Sequence, residues 1–375
     1  MRSENAAAIA ATMLMLWAQG ALAAEIKIGM VTPVTGPAAE SGKYSQIGAQ
    51  MAIDEINAAG GVLGKTLKLV VEDDQTTNPG AVNAFSRLAT DPEIPAFLGP
   101  IRSTEVDAMS PDIVKTGKPV FIGGTAPKLT HQGNPWLFRC RPNDSYSARV
   151  IADYGADTLG LKKWAIVHST DAFGTGGAGA LTEALAKKGL TPVADEGYPN
   201  QSQDFSAIVL DTKKSGADII GSYFTFETDL GVFAKQLKQF GVRAKWVGSP
   251  SIITTPALNL AGPALHGTFG IADFAVDSSP EAKAFAEKYE KIAHAAADNF
   301  GSWPYDAVHI LAKAMSDAQS TEPDKVRAAV LAIKGYKGAE GTYNYDQNGD
   351  GLHGYNVVRN EDGKIVFDKH IDYQD

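Results

Sequence analysis

The sequence predicts an α/β protein of two similar lobes, each built on a parallel central sheet covered by helices on both faces. Three observations carry that expectation. Short apolar runs alternate with helix-period segments from Ile26 onward, and such repeats imply right-handed crossovers and parallel pairing. The alternation restarts after Asp144, so the theme is used twice. The chain of 375 residues is also long enough for two domains of the roughly 150-residue average size.

In order, Ile26–Val31 reads as a buried strand. Lys43–Ala59 reads as a helix with Ile47, Gly48, Met51, Ala52 and Ile56 on one face, stopped by Gly60-Gly61. Strands are expected at Thr66–Val71, Pro95–Leu98 and Pro119–Ile122, with helices Pro79–Ala89 and Ser103–Lys115 between them. That closes a first group of four strands. The second group begins with helix Tyr146–Leu159, strand Trp164–His168, helix Gly176–Lys188 and strand Thr191–Asp195. Helix Phe205–Lys214, strand Asp218–Ser222, helix Asp229–Phe240 and strand Lys245–Val247 continue it. Three helices are expected between Pro280 and Lys334, then a β-rich tail from Thr342. The linker candidates are Arg141–Asp144, Asp273–Ser279 and Asn348–Gly354; three crossings there would give an N-terminal lobe (24–143 plus 274–352) and a C-terminal lobe (144–273 plus 353–375).

The first residues add a location. Ala6–Leu16 is a small-apolar run that leads into Ala21-Leu22-Ala23, the small-x-small pattern of a cleavage site. It reads as a removable signal peptide over residues 1–23, too short for the roughly 20 residues of a membrane span. The remainder is then expected in the periplasm, where nucleotide cofactors are scarce. A net charge of −9 without a basic run argues against nucleic acid and lipid surfaces. The single cysteine, Cys140, excludes an internal disulfide and reads as a core residue.

Several motifs resemble catalytic or cofactor signatures and fail on context. Gly174-Thr175-Gly176-Gly177-Ala178-Gly179 has dinucleotide spacing, but five residues separate it from the strand ending at His168. Gly60–Thr66 is nearly a phosphate loop, but a helix precedes it and a strand follows, the reverse of what phosphate binding needs. Asp346–Gly351 opens like a calcium loop, yet position twelve is Val357 in place of a bidentate glutamate. The seven histidines are scattered. No cofactor, metal or catalytic residue is assigned, and an enzyme is not expected.

The chemistry is expected at two strand-to-helix junctions. Gly99-Pro100-Ile101-Arg102-Ser103-Thr104 follows one strand, and Gly123-Gly124-Thr125-Ala126-Pro127 follows the next. Ligands of open parallel sheets collect beyond the carboxyl ends of the strands. Helix N-termini there offer free N–H groups to an anion. Ser103 and Thr125 would add hydroxyl donors, and Gly123 and Gly124 would let the backbone come close.

At these residues the chain resembles the Leu/Ile/Val-binding family of type I periplasmic binding proteins. The likeness runs from Ile26 to the final strands through Gly36-Pro37 with Gly42, Ala52–Gly61, Glu72-Asp73-Asp74, Gly99 with Ser103, Thr125–Thr130 and Asp171–Gly174. It implies the type I periplasmic binding fold, two Rossmann-like lobes with parallel central sheets joined by three hinge crossings: a clamp that closes on a solute and delivers it to an ABC permease, as a monomer. Ser103, Gly123 and Thr125 match positions that hold a ligand's α-carboxylate. Phe173 and Phe226 match second-lobe positions where amino-acid binders use tyrosines, and Ile101 and Phe300 match lining of the side-chain pocket. Ser41 is counted with the ligand-binding residues. The acid that pairs with an α-ammonium would fall at Pro250, where no carboxylate stands, and Arg102 replaces an uncharged residue. The resemblance with these departures implies a carboxylate ligand without an amine, preferably an aromatic or hydrophobic one, with Tyr223, Phe224 and Trp303 as further stacking candidates. Branched-chain amino acids, short amides, or presentation of a ligand to a receptor kinase are the alternatives.

Overall fold

Strand β1 (Glu25–Thr32) is buried along most of its length and pairs in parallel with β2 (Thr66–Asp73) on one side and β3 (Ala96–Leu98) on the other. In this computed structural model, which describes residues 24–373, β4 (Val120–Ile122) and β5 (Leu137–Arg139) extend the sheet in the order β2-β1-β3-β4-β5. The predicted signal peptide lies outside the described residues. The first sheet therefore has five strands, not four. Phe138 of β5 stacks on its neighbour Phe121 at 5.4 Å, an apolar pairing that turns a short extended segment into an edge strand.

The second sheet contains β6 (Trp164–Ser169), β7 (Ala194–Tyr198), β8 (Ile219–Tyr223), β9 (Lys245–Gly248) and β10 (Phe269–Ala272), all parallel. β11 (Tyr336–Lys337) and β12 (Thr342–Tyr343) make a small separate ladder. The tail returns as a hairpin of β13 (Gly354–Glu361) and β14 (Lys364–Asp372), which joins the second sheet antiparallel to β10. The sheet order is β14-β13-β10-β9-β8-β6-β7. Antiparallel pairing follows from the two-residue turn Asp362-Gly363, both at positive φ. β7 lies three residues beyond the expected Thr191–Asp195 because its register is set by β6, with Ala194 opposite Ala165.

Helices α1 (Ala39–Ala58), α2 (Ser103–Thr116), α3 (Asp144–Asp153), α4 (Ala172–Lys187) and α5 (Glu227–Gln239) follow the strands they cover. The late helices α6 (Pro280–Ala293) and α7 (Asn299–Ala318) return to the first lobe. Tyr289 of α6 donates to the Tyr44 carbonyl at 3.1 Å, and Tyr305 of α7 donates to Glu55 at 2.8 Å. α1 and α7 approach at Gly48, where an added Cβ would stand 2.0 Å from the Gly301 carbonyl oxygen. Gly48→Leu should therefore destabilise by roughly 3 kcal/mol, the upper end for overpacking. A denaturant melt unchanged from the parent would show that the helices can separate without cost.

The chain crosses between sheets three times, and buried polar groups bind the crossings together. Arg141, after β5, pairs through Nε with Asp273, after β10. Asn356 of β13 donates to the Asp273 carbonyl at 2.9 Å, and Tyr355 donates to the Pro142 carbonyl at 2.7 Å. Asp350, before β13, accepts from Asn143 and from Thr130, each at 2.9 Å, and lies 3.0 Å from Arg139 Nε. Burial alone would raise the Asp350 carboxyl, but Arg139, His131, Asn143 and Thr130 hold it well below the usual carboxylate range. The stretch that opens like a calcium loop is a turn: Asp346 accepts the N–H groups of Asn348 and Asp350. Cys140 is buried with its Sγ 3.3 Å from the Tyr345 hydroxyl.

Candidate functional site

A cavity opens between the carboxyl ends of the two sheets. Ile101, Arg102, Ser103, Thr125, Arg141, Asn299 and Phe300 line it from the first lobe. Asp171, Phe173, Phe224, Thr225, Glu227, Pro250, Ser251 and Thr254 line it from the second. Its open space is about 530 Å³, mouth included, within the range of small-molecule sites.

The first-lobe wall follows from how α2 begins. Arg102 is the N-cap residue in extended conformation, and no side chain caps the helix. The first intrahelical partner of the Arg102 carbonyl is Val106 N–H, so the amides of Ser103, Thr104 and Glu105 remain unsatisfied by the helix. With the helix dipole they present free donors and a positive potential at the helix start. Ser103 Oγ accepts from Ala126 N–H at 3.1 Å, which leaves its own proton free to donate. The two junctions stand this close because of their glycines. A Cβ on Gly124 would lie 3.1 Å from Ser103 Cα, and one on Gly123 would lie 2.9 Å from Ile101 Cγ1.

Thr125 corrects one expectation. Its hydroxyl donates to Asp144 at 2.8 Å, so it faces a ligand as an acceptor. Burial pushes the Asp144 carboxyl up to about 6, against the opposing pull of Thr125 and the nearby arginines. The Gly123 carbonyl accepts from Arg141 Nη1 at 2.8 Å, which ties the cradle directly to the hinge pair with Asp273.

The second-lobe wall corrects another. Pro250 does line the cavity, but the expectation of a pocket without an acid fails because Glu227 stands there, 6% exposed. Burial raises its carboxyl, partly opposed by the positive charge of Arg102 and by Ser41. Glu227 opens α5 directly beyond β8. The strand-end rule used for the first lobe finds it once it is applied to the second. Asp171, also lining the cavity, is occupied as the cap of α4, accepting from Gly174 N–H at 2.9 Å and from Asn200 at 2.8 Å. α4 thus starts at Ala172, and the glycines with dinucleotide spacing lie inside it.

Of the predicted ligand-binding residues, Ile101, Arg102, Ser103, Thr125, Phe173, Phe300 and Pro250 meet at the cavity. Gly123, Gly124, Ser41 and Phe226 are not among its lining residues, and Ser41 bonds the lining Glu227. Phe226 lies under the Arg102 guanidinium, 4.8 Å from ring centroid to Cζ. Among the further stacking candidates only Phe224 lines the cavity. Tyr223 and Trp303 are core side chains, the Tyr223 hydroxyl 2.8 Å from that of Ser147. Sequence reasoning missed Glu227, Arg141, Asp171 and Asn299. Asn299 carried a usable signal, because it sits beside Phe300 at the start of a helix.

Comparison with known proteins gives a consistent result. The periplasmic binding protein family model matches residues 25–364. A Leu/Ile/Val-binding protein homolog of Brucella melitensis is 30% identical over 92% of this chain and 93% of its own. The branched-chain amino acid transporter substrate-binding protein LivJ of Streptococcus pneumoniae, solved with isoleucine, superposes with a TM-score of 0.84 at 25% identity, covering 93% of this chain and 100% of that one. A solute-binding protein of an R. palustris ABC transporter, solved with 4-hydroxybenzoate, has a TM-score of 0.83 at 22% identity over 93% and 96% of the two chains, a likeness of fold.

Proposed function

The chain belongs to the periplasmic binding protein family, and from that premise we propose that it is the extracytoplasmic solute-binding component of an ABC importer, closing on an α-amino acid. Its lobes divide at 143/144, 273/274 and 352/353, and its partner is a membrane permease that receives the closed form. One observation carries the ligand class: Glu227 faces the same cavity as the unsatisfied amides of α2. The amides and Ser103 Oγ take the carboxylate. Glu227 and the acceptor face of Thr125 take the ammonium, which would otherwise be a buried charge without a counter-charge. Ile101, Phe173, Phe224 and Phe300 enclose the rest of the solute. A micromolar site needs about 8 kcal/mol, and three or four charge-assisted bonds at roughly 1.5–3 kcal/mol each supply it after ordering costs. The ligand touches both lobes, so its binding energy favours closure.

An aromatic carboxylate is the second reading, favoured by the three phenylalanine rings on the cavity wall. A thermal-shift screen separates the two, because a ligand at a hundred times its Kd adds about 2.7 kcal/mol to the folded state. α-Amino acids should raise the melting temperature, and their deaminated 2-keto acids should raise it less. The amino-acid response should also weaken as pH falls. The Glu227 carboxyl, raised by burial, takes up a proton there and stops attracting an ammonium. Benzoates that stabilise the protein where no amino acid does would replace the first reading by the second.

A further inference from the structure

Arg102 is the cationic side chain of the cavity wall whose donors an amino acid's backbone groups do not meet. Its side chain lies in the cavity wall at 9% exposure, and its Nε and Nη1 are buried without a hydrogen-bond partner. One face of the guanidinium is covered by the Phe226 ring of the opposite lobe. Asp74, Glu105 and Glu227 offset its charge through space, yet none of them accepts a hydrogen bond from it. A buried guanidinium with idle donors is costly until an acceptor reaches it. The carboxylate cradle on α2 is built from main-chain N–H groups and Ser103 Oγ, so it holds one carboxylate without Arg102.

We infer that the solute carries a second carboxylate, on its side chain, which Arg102 receives: the site takes acidic amino acids in preference to branched-chain ones. This rests on the α-amino-acid reading above. A leucine or isoleucine side chain would place methyl groups against the guanidinium and leave Nε and Nη1 idle in the closed form. A side-chain carboxylate supplies acceptors for both, and the α-ammonium still has Glu227. The ring of Phe226 keeps the guanidinium plane fixed, so little side-chain order has to be gained on binding.

Calorimetry of the full mature chain with L-glutamate, L-aspartate, L-leucine and benzoate tests this. One of the two acidic amino acids should bind at least about ten-fold tighter than leucine, the gain of one charge-assisted contact. Arg102→Ala should abolish that preference: glutamate and aspartate should each lose about ten-fold more affinity than leucine does, the worth of one charge-assisted contact. Leucine binding the parent protein as tightly as glutamate and aspartate overturns the inference and leaves the amino-acid reading standing. So does an Arg102→Ala protein with the preference intact; the guanidinium would then be a structural group bridged by water to Asp74 and Glu105. If benzoate binds and no amino acid does, the amino-acid reading falls and this inference with it. The parent comparison needs no variant, so the test survives a failure of Arg102→Ala to fold.

Discussion

Arg141→Met loses roughly 3–5 kcal/mol of stability, the cost of removing one partner of a buried ion pair. The loss is that large because Arg141 has three roles at once. It neutralises Asp273, holds the Gly123 carbonyl at 2.8 Å and closes one side of the cavity. Burial favours the protonated form of Asp273, and Arg141 is what opposes it. Without the arginine, Asp273 becomes an unpaired buried carboxylate at the crossing that follows β10. Chemical denaturation of the ligand-free protein measures the loss directly. The double variant Arg141→Met/Asp273→Leu should recover much of it, since an apolar pair needs no counter-charge. A single variant as stable as the parent would mean that water enters the hinge and solvates Asp273. Ligand affinity should fall in both variants, because the Gly123 carbonyl loses the donor that positions it.

Glu227→Gln separates binding from stability in the opposite direction. Amino-acid affinity should drop at least about a hundred-fold, or roughly 3 kcal/mol, as for a buried hydrogen-bonded charge pair that loses one partner. The ligand-free protein should be as stable as the parent at neutral pH, or more so. The sign follows from burial. A carboxyl raised in the folded state is deprotonated more readily in the unfolded chain, so it opposes folding above its unfolded value of about 4.3. Glutamine removes that opposition, and the advantage should vanish at pH 4 and below, where both states hold the proton. Isothermal calorimetry with the tightest amino acid and melts at pH 4 and pH 7 give both numbers. Affinity equal to the parent's would exclude Glu227 as the ammonium's partner and return the aromatic carboxylate to first place.

Much of the fold was legible because apolar periodicity is a local property. Ile26–Val31, Trp164–His168 and Asp218–Ser222 each announce a buried parallel strand, and the restart after Asp144 announces the second lobe. The fifth strand of the first sheet was legible only as an extended segment, since it is pairing with Val120–Ile122 that makes Leu137–Arg139 a strand of that sheet. The late shift of β7 has the same cause, a register fixed by a neighbour 29 positions away. In the site, Ser103 and Thr125 were found from strand ends in one lobe. The acid was sought at one position, Pro250, and missed 23 positions earlier at Glu227.

The sequence by itself determined the alternating elements, the two-lobe plan and the two glycine-bearing strand-to-helix junctions of the first lobe, because strand periodicity and turn residues are written in neighbouring residues. Only the tertiary structure decided the charge of the pocket. Arg102, Arg141, Glu227 and Asn299 come from four separate stretches of chain, and whether each is paired or idle depends on what the other lobe brings against it. Thr125 is the smallest example: the residue was predicted, but Asp144 decides that its hydroxyl accepts.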